Sequence, residues 1–308
     1  MQEAGSKTRH REGSRRGSRR WRPGPLTLVI AMLALGGLVA GLYPMSAAWL
    51  SSYNQSKIIS TATTALPELI PSAAEQLAAA ETYNAALSAG VVLERNGNVP
   101  VGDFSLSDAS LEYSALLDGG ANGLMARVQI PSIGVDLPVY HGTSDEVLAR
   151  GAGHLEGSHL PVGGVGTRAV LTAHRGLANA TMFTNLDDVV VGDTFTVQTL
   201  GRVLTYRVRD TQVIEPEETG TLRAEPGSDL VTLVTCTPLG INTHRILVTG
   251  ERITPTPEPA LRAATAPSEI PGFPWWIVYL GTGLLAVTGY VTWQGFVEGA
   301  LRATRSRR

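Results

Sequence analysis

The apolar residues of this chain fall into two kinds of run. No charged residue lies between Arg22 and Lys57, and within that stretch residues 26–42 are apolar or glycine apart from Thr27. That is long enough to cross a bilayer as a helix. A second uncharged stretch lies between Glu269 and Glu298, with Trp275, Trp276 and Tyr279 toward one end and Tyr290 and Trp293 toward the other. Aromatic residues at both ends suit the two water–lipid interfaces.

Between these stretches the periodicity changes twice. Ser72 followed by Glu75 forms a capping-box pattern ahead of an Ala-rich segment that Gly90 stops, which predicts a helix over 73–89. Residues 91–122 are broken by Gly97, Pro100, Gly102, Gly119 and Gly120 and read as a loop-rich strap. From Leu124 onward come short β-type runs at 125–130, 135–140, 169–173, 194–200, 203–214, 230–235 and 245–249. Seven or eight strands at this spacing predict a closed barrel or a sandwich. The intervals are too short for regular βαβ crossovers, which argues against a doubly wound parallel sheet. Pro255, Pro257, Pro259 and Pro267 then predict an extended spacer before the second apolar stretch.

Composition sharpens the membrane reading. The 308 residues are 43% hydrophobic with a net charge of −2, yet Lys7, Arg9, Arg11, Arg15, Arg16, Arg19, Arg20 and Arg22 crowd one end and Arg302, Arg305, Arg307 and Arg308 the other. Basic flanks stay in the cytoplasm, so two crossings put residues from about 50 to 270 outside the cell. Arg-rich tails also bind phosphate; beside two spans that reading is set aside, and no nucleic acid is expected as a partner. Ser46, Ala47 and Ala48 loosely resemble a signal-peptide cleavage site. The apolar core exceeds a normal signal h-region, so an uncleaved anchor is favoured.

The single cysteine excludes an internal disulfide and a thiolate-rich metal cluster. A lone cysteine in a strand is by default a core residue. Cys236, however, ends the run Val231-Thr232-Leu233-Val234-Thr235, His174 ends the run Ala169-Val170-Leu171-Thr172-Ala173, and Arg245 opens Ile246-Leu247-Val248. Each sits where a strand meets a loop. A short loop between Cys236 and Arg245 would set their strands side by side. A thiol attacks an amide carbonyl only as the thiolate, an imidazole can take up and return the proton, and a guanidinium is a permanent donor to an oxyanion. His141, His154 and His159 lie in Gly-rich surroundings without helical ligand spacing. No metal and no cofactor are expected.

The segment Thr232-Leu233-Val234-Thr235-Cys236 resembles the Thr-Leu-x-Thr-Cys signature of the sortases, with Arg245 where that family places its arginine. Leu171-Thr172-Ala173-His174-Arg175-Gly176 is similar to the family's histidine segment, with Ala173 in place of a glycine. Ile130-Pro131, Pro138-Val139-Tyr140-His141-Gly142 and Gly153-His154-Leu155-Glu156-Gly157 extend the match over about 124–252. The resemblance is closest to class C, the pilus-assembling sortases, which carry a second C-terminal span and an extra N-terminal segment.

It implies a sortase-type closed β-barrel of seven to eight strands with short helices, preceded by an N-terminal helical segment and flanked by two transmembrane helices. The divisions are a basic cytoplasmic tail (1–22), a transmembrane helix (23–50), a helical strap with a lid (51–122), the barrel (123–252), a Pro-rich linker (253–272), a transmembrane helix (273–294) and a basic cytoplasmic tail (295–308). It also implies Cys236 as nucleophile, His174 as general acid/base and Arg245 as oxyanion stabiliser. The class C lid is an Asp-Pro-aromatic motif; Asp103-Phe104 lacks the proline, and Asp118 competes without a following aromatic. The implied substrates are pilins or surface proteins bearing LPXTG-like signals. The acceptor amine is a pilin lysine or, alternatively, a cell-wall peptide. A membrane-tethered binding domain without catalysis is the reading from another class.

Overall fold

The computed structural model describes residues 21–87, 112–120, 123–268 and 270–305. By their contacts the described residues divide into two units, one running up to Tyr43 and resuming over Trp275–Arg308, the other Pro44–Pro274.

In the first unit lie the apolar parts of helix α1 (Pro25–Ala65) and helix α5 (Trp275–Arg305), both long and apolar enough to cross a membrane. The Thr27 hydroxyl donates to the Glu298 carboxylate at 2.8 Å. Gly283 lies against the Leu38 side chain, where a Cβ would come within 2.4 Å of it. Small residues allow such close helix contact in lipid.

In the second unit α1 continues past residue 50, where the apolar pattern predicts its end. Gln55, Ser56, Ile59 and Ala62 recur at helical spacing and are buried, so tertiary packing prolongs a helix that hydropathy alone would stop. Gln55 donates to the Arg150 carbonyl at 3.2 Å and Ser56 to Ser268 at 2.9 Å. Helix α2 (Ala73–Ala86) begins at the expected capping box, with Ser72 N–H donating to Glu75 Oε2 at 2.9 Å. It docks Leu77, Ala80 and Tyr83 onto the main core.

Eight strands form a closed barrel: β1 (Leu124–Ile130), β2 (Val135–His141), β3 (Ala152–His154), β4 (Thr167–Thr172), β5 (Thr194–Thr199), β6 (Arg202–Ile214), β7 (Asp229–Thr237) and β8 (His244–Ile253). Their order around it is β1-β2-β3-β4-β7-β8-β6-β5, and β5 pairs back onto β1. The pairs β2/β3 and β4/β7 are parallel. Inside, Val128, Leu171, Phe195, Val197, Leu233 and Val248 are fully buried; truncating one such side chain to Ala costs roughly 2–5 kcal/mol. Gly250 makes room for the Phe195–Tyr206 stack, since a Cβ there would lie 2.4 Å from the Phe195 ring.

Helix α3 (Asp145–Arg150) and helix α4 (Glu258–Thr265) complete the described helices. The second corrects the extended spacer predicted for the linker. Pro257 sits at its N-cap and Pro259 in its first turn, where a missing N–H costs nothing, and Ala260, Ala263 and Ala264 propagate it.

Candidate active site

Strand β7 separates two apolar clusters. Val231 and Leu233 belong to the barrel interior with Leu171, Ala173, Ile246 and Val248. Val234 belongs to a smaller cluster on the outer face with Leu155, Val170, Ile214, Leu222 and Leu247. Strand side chains alternate between faces, so Cys236, two beyond Val234, lies on the outer face. The same alternation puts Arg245, two before Leu247, on that face, and His174 follows the end of β4 by two residues.

Register sets two of the three side by side. Cys236 is the direct antiparallel partner of Arg245 across β7/β8. Parallel β4 pairs Thr172, its last residue, with Val234, and His174 follows two residues beyond that pair. Neighbouring strands are about 4.8 Å apart, so Cys236 and Arg245 lie within side-chain reach of one another. All three residues are partly exposed.

Each strand end is fixed locally. The Ala173 N–H donates to the Val234 carbonyl at 3.2 Å, and the buried Thr235 hydroxyl to the Ala173 carbonyl at 2.8 Å. The His174 carbonyl accepts from Phe183 N–H at 3.0 Å. Arg245 is held by its own hairpin, Nη1 donating to the Asn242 carbonyl at 2.9 Å and to that of His244 at 3.1 Å. The loop after the histidine touches the loop after the cysteine: Gly176 (φ 73°) faces Leu239, which would meet a Cβ there at 2.3 Å. At the far end of this face Arg168, 3% exposed, donates to Thr232 at 2.8 Å and pairs with Glu225 at 2.7 Å. Burial pulls the Arg168 pKa down, opposed by the Glu225 carboxylate. This pair pins the connection between β6 and β7 beside the outer cluster.

His141, His154 and His159 sit elsewhere and differently. His141 and His154 are cross-strand partners at the ends of β2 and β3. His154 Nε2 donates to the His159 carbonyl at 2.8 Å, and its Nδ1 lies 2.9 Å from the Tyr113 hydroxyl. His141 Nε2 lies 2.6 Å from the Leu116 carbonyl oxygen. Burial lowers the pKa of all three histidines, that of His154 to about 3. Burial likewise raises the Tyr113 pKa, so its hydroxyl stays protonated.

Asp103 and Phe104 lie outside the described residues. Asp118 is a turn residue, its Oδ1 accepting from Gly120 N–H at 2.8 Å. Sequence reasoning assigned no role of their own to Arg168, Arg175, Thr235 or Thr237. A signal existed: polar residues interrupting apolar strand ends at Thr235, and a cation directly after His174.

The family model of the sortase domain matches residues 128–253. Among solved structures, sortase C-1 from Actinomyces oris is 49% identical with a TM-score of 0.53, covering 59% of this chain and 99% of its own. A sortase C of Streptococcus pneumoniae is 36% identical with a TM-score of 0.52, covering 60% and 90%. Among curated proteins, sortase D of Bacillus subtilis (strain 168) is 27% identical over 139 residues, 44% of this chain. The chain spans from 52% to 66% of the length of the curated relatives it matches.

Proposed function

The chain belongs to the sortase family, and on that premise we propose that it is a membrane-anchored cysteine transpeptidase of the class C type that joins pilin subunits. The observation that carries this reading is the direct pairing of Cys236 with Arg245 across β7 and β8, with His174 two residues beyond the end of β4, the parallel neighbour of β7.

The chemistry proceeds in two halves. The Cys236 thiolate adds to the carbonyl carbon between Thr and Gly of an LPXTG-like signal. Charge develops on the carbonyl oxygen, where the Arg245 guanidinium stabilises it. The C–N bond breaks, His174 delivers its proton to the departing glycine amine, and a thioester remains on Cys236. An incoming amine then attacks the thioester, His174 takes up its proton, and the thiolate is released. The carbonyls of Asn242 and His244 that hold Arg245 Nη1 orient the guanidinium in advance, which avoids reorganisation as the oxyanion forms.

Two features support the anchored, pilin-joining form. Two helices are apolar enough to span a bilayer, and the basic ends of the chain orient both termini to the cytoplasm. The similar Streptococcus pneumoniae sortase C is described for its catalysis and pilin substrate specificity.

The test is a competition between acceptors. The full chain, given a labelled LPXTG-type peptide with equal concentrations of a lysine-bearing pilin peptide and a cell-wall stem peptide, is expected to yield the lysine-linked product by mass spectrometry. Product with the stem peptide alone would instead make the protein a wall-anchoring sortase.

A further inference from the structure

We propose that Arg175 is a positioning residue that locks the strand end bearing His174 to the strand end bearing Cys236; this deepens the reading above and rests on it. Arg175 directly follows His174, and its side chain is only 9% exposed. Its Nη1 donates to the Thr237 hydroxyl at 2.8 Å, and Thr237 directly follows Cys236. Its Nε donates to the Thr184 carbonyl at 3.0 Å, and its Nη2 binds the Asp187 carboxylate. One planar group is thus fixed at three nitrogens by three residues from two segments, the 184–187 loop and the end of β7.

The placement matters because the β4/β7 ladder pairs residues only as far as Thr172 and Val234. Beyond that point the strand ends bearing His174 and Cys236 are joined by the Ala173 N–H bond to the Val234 carbonyl, by the Thr235 hydroxyl and by this fork. The turn that receives Arg175 also closes on the histidine itself: Phe183 N–H donates to the His174 carbonyl at 3.0 Å and Gly176 N–H to Thr184 Oγ1 at 3.1 Å. Arg175 therefore ties together both neighbours of the reacting pair without touching the substrate. A guanidinium suits the task because its donors lie in one rigid plane, whereas an ammonium is a single point on a flexible stem. Misplacing a catalytic group by about 1 Å can cost about 10²-fold in rate.

The experiment uses the full chain in detergent micelles with a labelled LPXTG-type peptide, reading kcat and KM for thioester formation. Arg175→Met is expected to lower kcat by roughly 10- to 100-fold, with KM unchanged because a positioning residue acts on the reacting pair and not on the bound peptide. Arg175→Lys keeps the charge but loses the fork and is expected to keep most of that deficit. Thr237→Val removes only the link to the cysteine strand and is expected to lower kcat several-fold. The double variant Arg175→Met/Thr237→Val should be no slower than Arg175→Met alone, because both remove one link.

Full rescue by Arg175→Lys would mean that charge, not geometry, is what counts, and would overturn the proposal. So would independent, multiplying effects of the two substitutions, or a rise in KM at constant kcat. Should Arg175→Met fail to fold, Thr237→Val decides, since it leaves the bonds to Thr184 and Asp187 in place: a lower kcat supports the link and a wild-type kcat overturns it. A wild-type chain that forms no thioester would instead remove the nucleophile assignment, and the positioning role with it.

Discussion

His154 and His174 both stand where a short apolar strand meets a loop, yet they occupy opposite chemical settings. His154 is fully buried, both ring nitrogens face protein partners, and burial drives its pKa down to about 3. It cannot carry a proton near neutrality. His174 is partly exposed, is held through its backbone carbonyl, and follows β4, the strand that pairs with the one bearing Cys236. Residue type is shared between the two sites; enclosure separates a structural histidine from the one proposed to exchange protons.

The sharpest way to break this comparison is to remove each ring. His174→Gln should lower thioester formation by about 10²- to 10⁴-fold while leaving thermal unfolding unchanged, as steady-state kinetics and a melting curve would show. A small kinetic effect would put His174 in the same structural class as His154.

A middling effect is expected from pH. His154 has a folded pKa below its unfolded value near 6.5, so protons bind the unfolded chain preferentially and stability falls as pH drops from about 6.5 toward 3. At pH 5 the loss from this residue is about 2 kcal/mol relative to neutrality. His141 and His159 are shifted in the same direction and add to it. Denaturant unfolding at the two pH values checks the sign, and in a His154→Phe variant the slope with pH should flatten.

The smallest effect concerns the support of the buried ring. The Ser158 hydroxyl donates to the Leu155 carbonyl at 2.7 Å and accepts from Val170 N–H at 3.1 Å. Ser158→Ala should cost about 1 kcal/mol, seen as a melting temperature lower by a few degrees with thioester turnover intact.

Much of the barrel was legible in the chain because its strands are long, β-branched runs between turn residues, as at 203–214 against the observed β6 (Arg202–Ile214). Strand β3 was not, having only Ala152, Gly153 and His154, too few to show a period. Nor was α3, a six-residue helix whose Ser144 cap accepts from Val147 N–H. The adjacency of Cys236 and Arg245 could be expected from a short hairpin. The pairing of β4, which leads into His174, with the strand of Cys236 could not, because it joins strands far apart in sequence, with β5 and β6 intervening. The fork of Arg175 was hidden for the same reason, since Thr237 becomes its neighbour only after β4 and β7 pair.

The central claim is that Cys236 is the acylated nucleophile. Intact-mass measurement of the full chain after incubation with an LPXTG-type peptide should show an adduct with the mass of the peptide up to its threonine, mapped by digestion to Cys236 and absent from Cys236→Ala. An adduct on another residue, or acyl transfer that persists in Cys236→Ala, would contradict it.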